Sequence, residues 1–332
     1  MIKKSLLVGT LAAAAAAAGA VVAPTAADDP RTAVRTRTAA APAPASASAG
    51  PVGFASMNGG TTGGAAGATV TASTAAQLAA YATARVPYVI RITGTVRVPG
   101  MQRVGSDKTI VGVGASGRIT GGGLNVSGAR NVVIRNLTFS GASDDAINVE
   151  RSTNVWIDHN DLSGAADGLT DVKRGSDYVT VSWNRYHDHD KTALLGHSDD
   201  NGAEDRGRLR VTYVHNWFDG TNQRHPRVRF ANPVHVLNNY YRDIGGYGVA
   251  STEGAGVLVE ANHFENVEEP TSVREGSSGE GNFRILNNRL VGSGRPVDRN
   301  PWAVAAIPYR YTPESAASVK ATVMAGAGVG KV

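Results

Sequence analysis

The chain has 332 residues, of which only 6% are aromatic, with a formal net charge of +5 and no cysteine. Without disulfides, packing and backbone hydrogen bonding must supply all the stability. The positive charge favours polyanionic partners, and among these the scarcity of aromatics and the lack of a helical basic stripe argue against nucleic acid.

Residues 1–27 open on Met1-Ile2-Lys3-Lys4 and run through an Ala-rich apolar block, past Pro24, to Thr25-Ala26-Ala27. That is the layout of a secretory signal peptide rather than of a retained membrane anchor. The mature protein is therefore expected outside the cell, with no membrane segment, and export lowers the nucleic-acid option further. Residues 28–50 are mostly Ala, Pro, Thr, Arg and Ser, with too few large apolar side chains to offset ordering entropy, and read as a low-complexity linker. Residues 51–332 are expected to form one domain with a substantial core, and the protein to be a monomer.

Within that domain one pattern returns: Asn154-Val-Trp-Ile-Asp-His-Asn160, Tyr178-Val-Thr-Val-Ser-Trp-Asn184, Val211-Thr-Tyr-Val-His-Asn216, Val234-His-Val-Leu-Asn-Asn239, Val257-Leu-Val-Glu-Ala-Asn262 and Phe283-Arg-Ile-Leu-Asn-Asn288. The closing asparagines are 24, 32, 23, 23 and 26 residues apart, and each has a Leu, Tyr or Phe two positions later. Asn136 closes an earlier copy, displaced by one residue. Strands with a period near 23 and polar corners fit a solenoid: one coil cannot bury its own inward face, but a stack of coils can. The predicted fold is all-β, a right-handed single-stranded parallel β-helix. Its asparagines are expected at the bends, where they tolerate left-handed torsions and bond to the amide one coil away. The 32-residue step holds a polar insertion from Leu195 to Arg208, expected outside the coil near a binding face.

Aspartates 145, 167 and 171 precede that insertion and Arg224-His-Pro-Arg227-Val-Arg229 follows it. Side chains alternate faces along an extended strand, so Asp167 with Asp171, and Arg227 with Arg229, fall on common faces. Carboxylates and guanidinium groups on one outer wall suit a metal together with an anionic substrate.

Four motifs in order, Trp156-Ile-Asp158-His159, Asp167-Gly-Leu-Thr-Asp171-Val-Lys173-Arg-Gly-Ser-Asp177-Tyr-Val-Thr-Val-Ser-Trp183-Asn184, His189-Asp190-Lys191 and Arg224 to Arg229, resemble the pectate lyases of polysaccharide lyase family 1 over roughly residues 70–300. The resemblance implies a parallel β-helix, calcium dependence, and eliminative cleavage of α-1,4-linked polygalacturonate, an acidic polysaccharide, outside the cell. It implies Asp145, Asp167 and Asp171 as calcium ligands, Arg224 as the catalytic base, and Lys191 and Arg229 as holders of uronate carboxylates. Calcium suits the chemistry because it is a hard cation that takes several carboxylate oxygens. An arginine side chain ordinarily keeps its proton to above about pH 12, so a guanidine base implies activity that rises into the alkaline range. Some relatives carry a further ligand where this chain has Ser143, which leaves the role of Asp144 open. Arg227 is placed either on the substrate or in support of the aspartates. Trp156, Asp158 and His159 are expected to brace the wall behind the metal site, and His197, Asp199 and Asp200 to be solvated loop residues.

Three other readings stand beside this one. A pectin lyase would take a methylated polymer without calcium, and the presence of Asp167 and Asp171 argues for the charged substrate. A β-helical polygalacturonase would hydrolyse with paired carboxylates and has no use for the Arg224 to Arg229 run. A β-helical polysaccharide-binding protein would have no chemistry at all.

Overall fold

The structure is a computed structural model that describes residues 50–332; the expected leader at 1–27 and nearly all of the low-complexity segment lie outside the described residues. Among the described residues no helix is long and apolar enough to cross a membrane. The strands form three parallel sheets of ten, nine and eight strands, each strand bonded to its counterpart one coil away, which makes the parallel β-helix expected from the repeat. The repeated segments are strands of the ten-stranded sheet, among them Thr153–Asp158, Asp177–Ser182, Val211–Val214, Val234–Leu237 and Gly256–Glu260.

Inward side chains stack from coil to coil. Tyr186, Phe218, Tyr241 and Phe264, each two residues past a closing asparagine, have ring centroids 5.1, 4.9 and 4.4 Å apart in succession. All four are fully buried. Parallel offset rings at that spacing add attraction to the area they bury.

The asparagines form a second ladder at the first corner. Asn184 donates its backbone N–H and its side-chain Nδ2 to Asn216 Oδ1, both at 3.1 Å. Asn216 does the same to Asn239 Oδ1 at 2.9 and 3.0 Å, and its Nδ2 also reaches the Val181 carbonyl at 2.9 Å. The stacking role is as expected, but the left-handed torsion falls one residue earlier. His159, Trp183, His215, Asn238, Ala261 and Asn287 carry positive φ, and the asparagines after them do not. Four of these six are His or Asn, which tolerate the left-handed torsion, while Trp183 and Ala261 adopt it without that preference. Asn136 is itself left-handed, with φ 56°, which is the one-residue displacement seen in the repeat.

The N-terminal end of the stack is closed by a helix, Ala75–Thr83, which buries Leu78 and Ala82; Thr74 caps it, its side chain accepting from Gln77 N at 3.2 Å. A second helix, Ala316–Gly326, packs Val319 and Val323 against Tyr240 on the outer surface. Trp156 and Asp158 belong to the ten-stranded sheet, and His159 is the bend residue that follows that strand. Trp156 packs with Ala55 of the segment Gly53–Ser56 and Asp158 binds Arg135 at 2.7 Å. They brace that covered face, not the wall that carries Asp171, which corrects the expectation.

Asn216→Ala strands the fully buried Asn184 N–H and Val181 carbonyl, so it is expected to cost about 2–4 kcal/mol. The partly exposed Asn288→Ala, at the last rung, should cost under about 1 kcal/mol. Urea denaturation of the two variants against the parent measures the difference.

Candidate active site

The eight-stranded sheet carries Asp171, Arg227 and Arg229. Its strands Ile147–Glu150, Thr170–Lys173, Ala193–Leu195 and Arg227–Arg229 are successive rungs. Val149, Val172, Leu195 and Val228 pair across these rungs and are all buried in the core. Their neighbours in sequence must therefore point outward. Asp171 and Lys173 thus share the outer wall with Arg227 and Arg229, as the period-two spacing predicts. Register sets Asn148, Asp171, Leu194 and Arg227 in one outward row.

Asp145 and Asp171 are nearly inaccessible, at 2% and 1% exposure. Lys173 Nζ lies between them, 2.9 Å from Asp145 Oδ2 and 3.2 Å from Asp171 Oδ2. Gly168 N donates to Asp145 Oδ1 at 2.8 Å. Burial, and then the charge of Asp145, push the Asp171 carboxyl up to about 7, against the opposing pull of Lys173 and Arg224. Burial raises Asp145 in the same direction, opposed first by Lys173. Burial also disfavours the Lys173 ammonium, yet Asp171 and Asp145 outweigh it and hold that group above its ordinary value. Asp171 Oδ1 is buried with no hydrogen-bond partner. A Cβ on Gly168 would come 2.3 Å from that oxygen and 3.0 Å from Asp145 Oδ1, so only glycine leaves this space between the carboxylates.

A second grouping overlaps the first. Carboxylate oxygens of Asp144, Asp145 and Asp167 lie within 4.8 Å of one another. Asp144 thus joins the acidic group, and Asp171 approaches it from the neighbouring position through Lys173. Asp167 binds Lys191 Nζ at 3.0 Å through Oδ1, and its carbonyl meets His189 Nε2 at 2.6 Å. Lys191 is on the next coil, where it bridges to Gln223, the residue before Arg224.

Arg224 takes a left-handed backbone, φ 65°, which costs a non-glycine residue on the order of 1 kcal/mol. Its carbonyl is fixed by Ala193 N at 2.7 Å, and its buried Nε has no protein partner among the described residues. Next to it His225 is fully buried, with its ring between Thr221 Oγ1 and the Tyr247 carbonyl at 2.8 Å each. Burial lowers that imidazole to about 4.

Arg229 sits on the same wall but is held by the insertion: its Nε donates to Asp199 Oδ1 at 2.6 Å and its Nη1 to the Gly196 carbonyl at 3.3 Å. Arg227 neither joins the aspartates nor stands free, because its Nη2 donates to Ser278 Oγ and the Glu275 carbonyl at 2.8 and 3.0 Å. Asp199 is consequently more than a solvated loop residue, and His197 pairs with Arg174 Nη2 at 2.6 Å; Asp200 is exposed.

The sequence reading did not single out Lys173, Asn148, Gly168 or Ser278. Lys173 had a legible signal, since it lies two residues after Asp171 in a strand. Asn148 is also three residues from Asp145, and its buried Oδ1 lacks a partner beside Asp171. Nothing in the chain near Ser278 marks it.

Lys173→Met leaves two buried carboxylates side by side without the ammonium between them, opposed at Asp171 only by the charge of Arg224. In metal-free buffer at pH 8 this should destabilise the protein by about 3 kcal/mol. The loss should shrink at pH 5, because the orphaned carboxyls then take up protons. Urea denaturation at the two pH values tests this, and an equal loss at both would remove the counter-ion role.

The chain matches the family model described as pectate lyase over residues 13–332. It is 36% identical over 300 residues to a pectate trisaccharide-lyase of Bacillus licheniformis, covering 84% of this chain and 86% of that protein. Pectate lyase A of Aspergillus niger is 38% identical over 287 residues, with 83% and 86% covered. Among solved structures, a pectate lyase from Bacillus sp. N165 in complex with trigalacturonate superposes with a TM-score of 0.78 at 33% identity, over 85% of this chain and 99% of that one. The protein therefore belongs to the pectate lyase family and is a polysaccharide lyase.

Proposed function

We propose that the protein is an exported, calcium-dependent pectate lyase that cleaves α-1,4-linked polygalacturonate by β-elimination, with Arg224 as the base. One arrangement supports the reading: the buried carboxylates Asp145 and Asp171, from two adjacent coils, meet at Lys173 with one Asp171 oxygen unpartnered, and the Arg224 charge opposes the upward push on Asp171. A relative solved with trigalacturonate supports an acidic galacturonan as substrate. The charged leader at residues 1–27 supports export.

Asp145, Asp167 and Asp171 would hold the calcium, with Asp144 close enough to join them. The donors fit, being hard oxygens with one buried Asp171 oxygen unpartnered and a gap that Gly168 keeps open. Bound calcium would neutralise a uronate carboxylate and so make the C5 proton more acidic. Lys191 and Arg229 grip uronate carboxylates and set the sugar ring. Arg224, as the neutral guanidine, takes the C5 proton. The C5–H pair becomes the C4–C5 double bond, the C4–O bond breaks, and the departing oxygen is protonated from solvent. The products are a new reducing end and a 4,5-unsaturated oligogalacturonide.

On polygalacturonate with calcium, near-ultraviolet absorbance should climb as unsaturated ends form, and a chelator should abolish the rise. Arg224→Ala should lower kcat by at least about a hundredfold, the range of a lost general base. Abundant unsaturated product in chelator would remove calcium from the mechanism, and full activity in the variant would remove Arg224. Turnover should increase with pH into the alkaline range, since only the deprotonated guanidine is competent; a maximum in mildly acidic buffer is incompatible with an arginine base.

A further inference from the structure

We propose that Asp199 and Ser278 form a clamp that sets the Arg229 guanidinium for carboxylate binding, and that this clamp determines the preference for free over methyl-esterified uronate. The inference rests on the reading of Arg229 as a holder of substrate carboxylate. The two clamp residues come from opposite sides of Arg229. Asp199 belongs to the insertion that follows the rung Ala193–Leu195, and Ser278 follows the strand Glu269–Ser272, two rungs beyond Arg229.

The clamp is a continuous chain of bonds. Arg227 Nη2 donates to Ser278 Oγ at 2.8 Å, so the hydroxyl proton is free to point the other way. It points at Asp199, whose two oxygens lie 2.8 Å from Ser278 Oγ. Asp199 Oδ1 then accepts from Arg229 Nε at 2.6 Å, and the Gly196 carbonyl accepts from Nη1 at 3.3 Å. Ser278 is 2% exposed, so the junction between the two loops is a buried one. Burial raises the Asp199 carboxyl, but the bonds from Arg229 and Ser278 outweigh it and keep the group ionised.

A guanidinium is a planar fork, and holding Nε and Nη1 fixes its plane. Nη2 is then the group without a protein acceptor among the described residues, and its position is set before any substrate arrives. The Arg229 side chain is only 11% exposed and cannot swing to find a ligand. Asp199 also offsets much of the Arg229 charge. What remains is directional hydrogen bonding to an ionised oxygen rather than general attraction for anions. A methyl ester removes the charge from that bond, so an aimed fork discriminates against it more than a loose one does. Asp199 and Ser278 are positioning residues.

The experiment compares Asp199→Ala, Asp199→Asn, Ser278→Ala, Arg229→Ala and the double variant Asp199→Ala/Arg229→Ala. Each is assayed for KM and kcat on polygalacturonate and on a methyl-esterified pectin, for trigalacturonate binding by calorimetry, and for thermal melting. Asp199→Ala should raise KM on polygalacturonate about tenfold with a smaller change in kcat, and narrow the preference for the free acid. Asp199→Asn, which keeps an oxygen acceptor for Nε, should recover most of both effects. The double variant should bind no more weakly than Arg229→Ala alone. If Arg229→Ala weakens trigalacturonate binding while Asp199→Ala changes only the melting temperature, the clamp is a loop staple and the inference fails. If Arg229→Ala itself binds trigalacturonate like the parent, the substrate role of Arg229 fails instead.

Discussion

Hydrogen bonding of each coil to the next, at about 4.8 Å per rung, is the constraint on which the rest of the molecule depends. It aligns residues some 23 positions apart in the chain, so inward positions become columns of core and outward positions become rows on a wall. The carboxylates of Asp145 and Asp171 come from adjacent rungs, and Arg227 follows Asp171 two rungs on in the same row. Leu195, expected to open the insertion outside the coil, is instead a buried rung residue; the extra chain that lengthens this step to 32 residues leaves the coil after it and returns without disturbing the register. A solenoid tolerates such an excursion since its stability is a sum of rung-to-rung interfaces.

The wall is crowded with charge, and the protein balances it locally. Two carboxylates one rung apart in a buried setting would repel each other strongly. Lys173 lies between them, and Lys191 on the next coil takes Asp167. Arg229 is matched by Asp199 in the same way. Lys191 and Arg229, the cations proposed to hold substrate carboxylates, are thus already engaged with protein carboxylates, which orders long side chains that would otherwise lose considerable rotamer freedom on binding a polymer. Asp171 is the exception to this balance: one of its oxygens has no partner, and burial together with the Asp145 charge raises its carboxyl to about 7.

The bends show why residue preference and residue function must be kept apart. The asparagines stack as their spacing suggested, yet the strained torsion is taken by the residue before each, including Trp183 and Ala261. The asparagine amide must face the next coil to accept two N–H groups, and this requirement forces the preceding residue into the turn. The helix Ala75–Thr83 likewise had no periodic signal strong enough to stand out in an Ala-rich stretch, and it forms because the first rung needs a cover for its apolar interior.

The amino-acid sequence by itself determined the repeat, the inward and outward alternation, and the common wall for Asp171, Arg227 and Arg229, because a period of two along each strand and of about 23 between strands are local and additive. It also carried the order of acidic and basic motifs by which the family is recognisable. Only the tertiary structure decided that Lys173 joins Asp145 to Asp171, that Asp144 approaches Asp167, that Trp156 braces a different face, and that Asp199 meets Ser278 across 79 positions of chain. Those contacts depend on how far side chains reach between coils and how loops fold back over the wall. Such distances are set by packing, and no spacing along the chain encodes them.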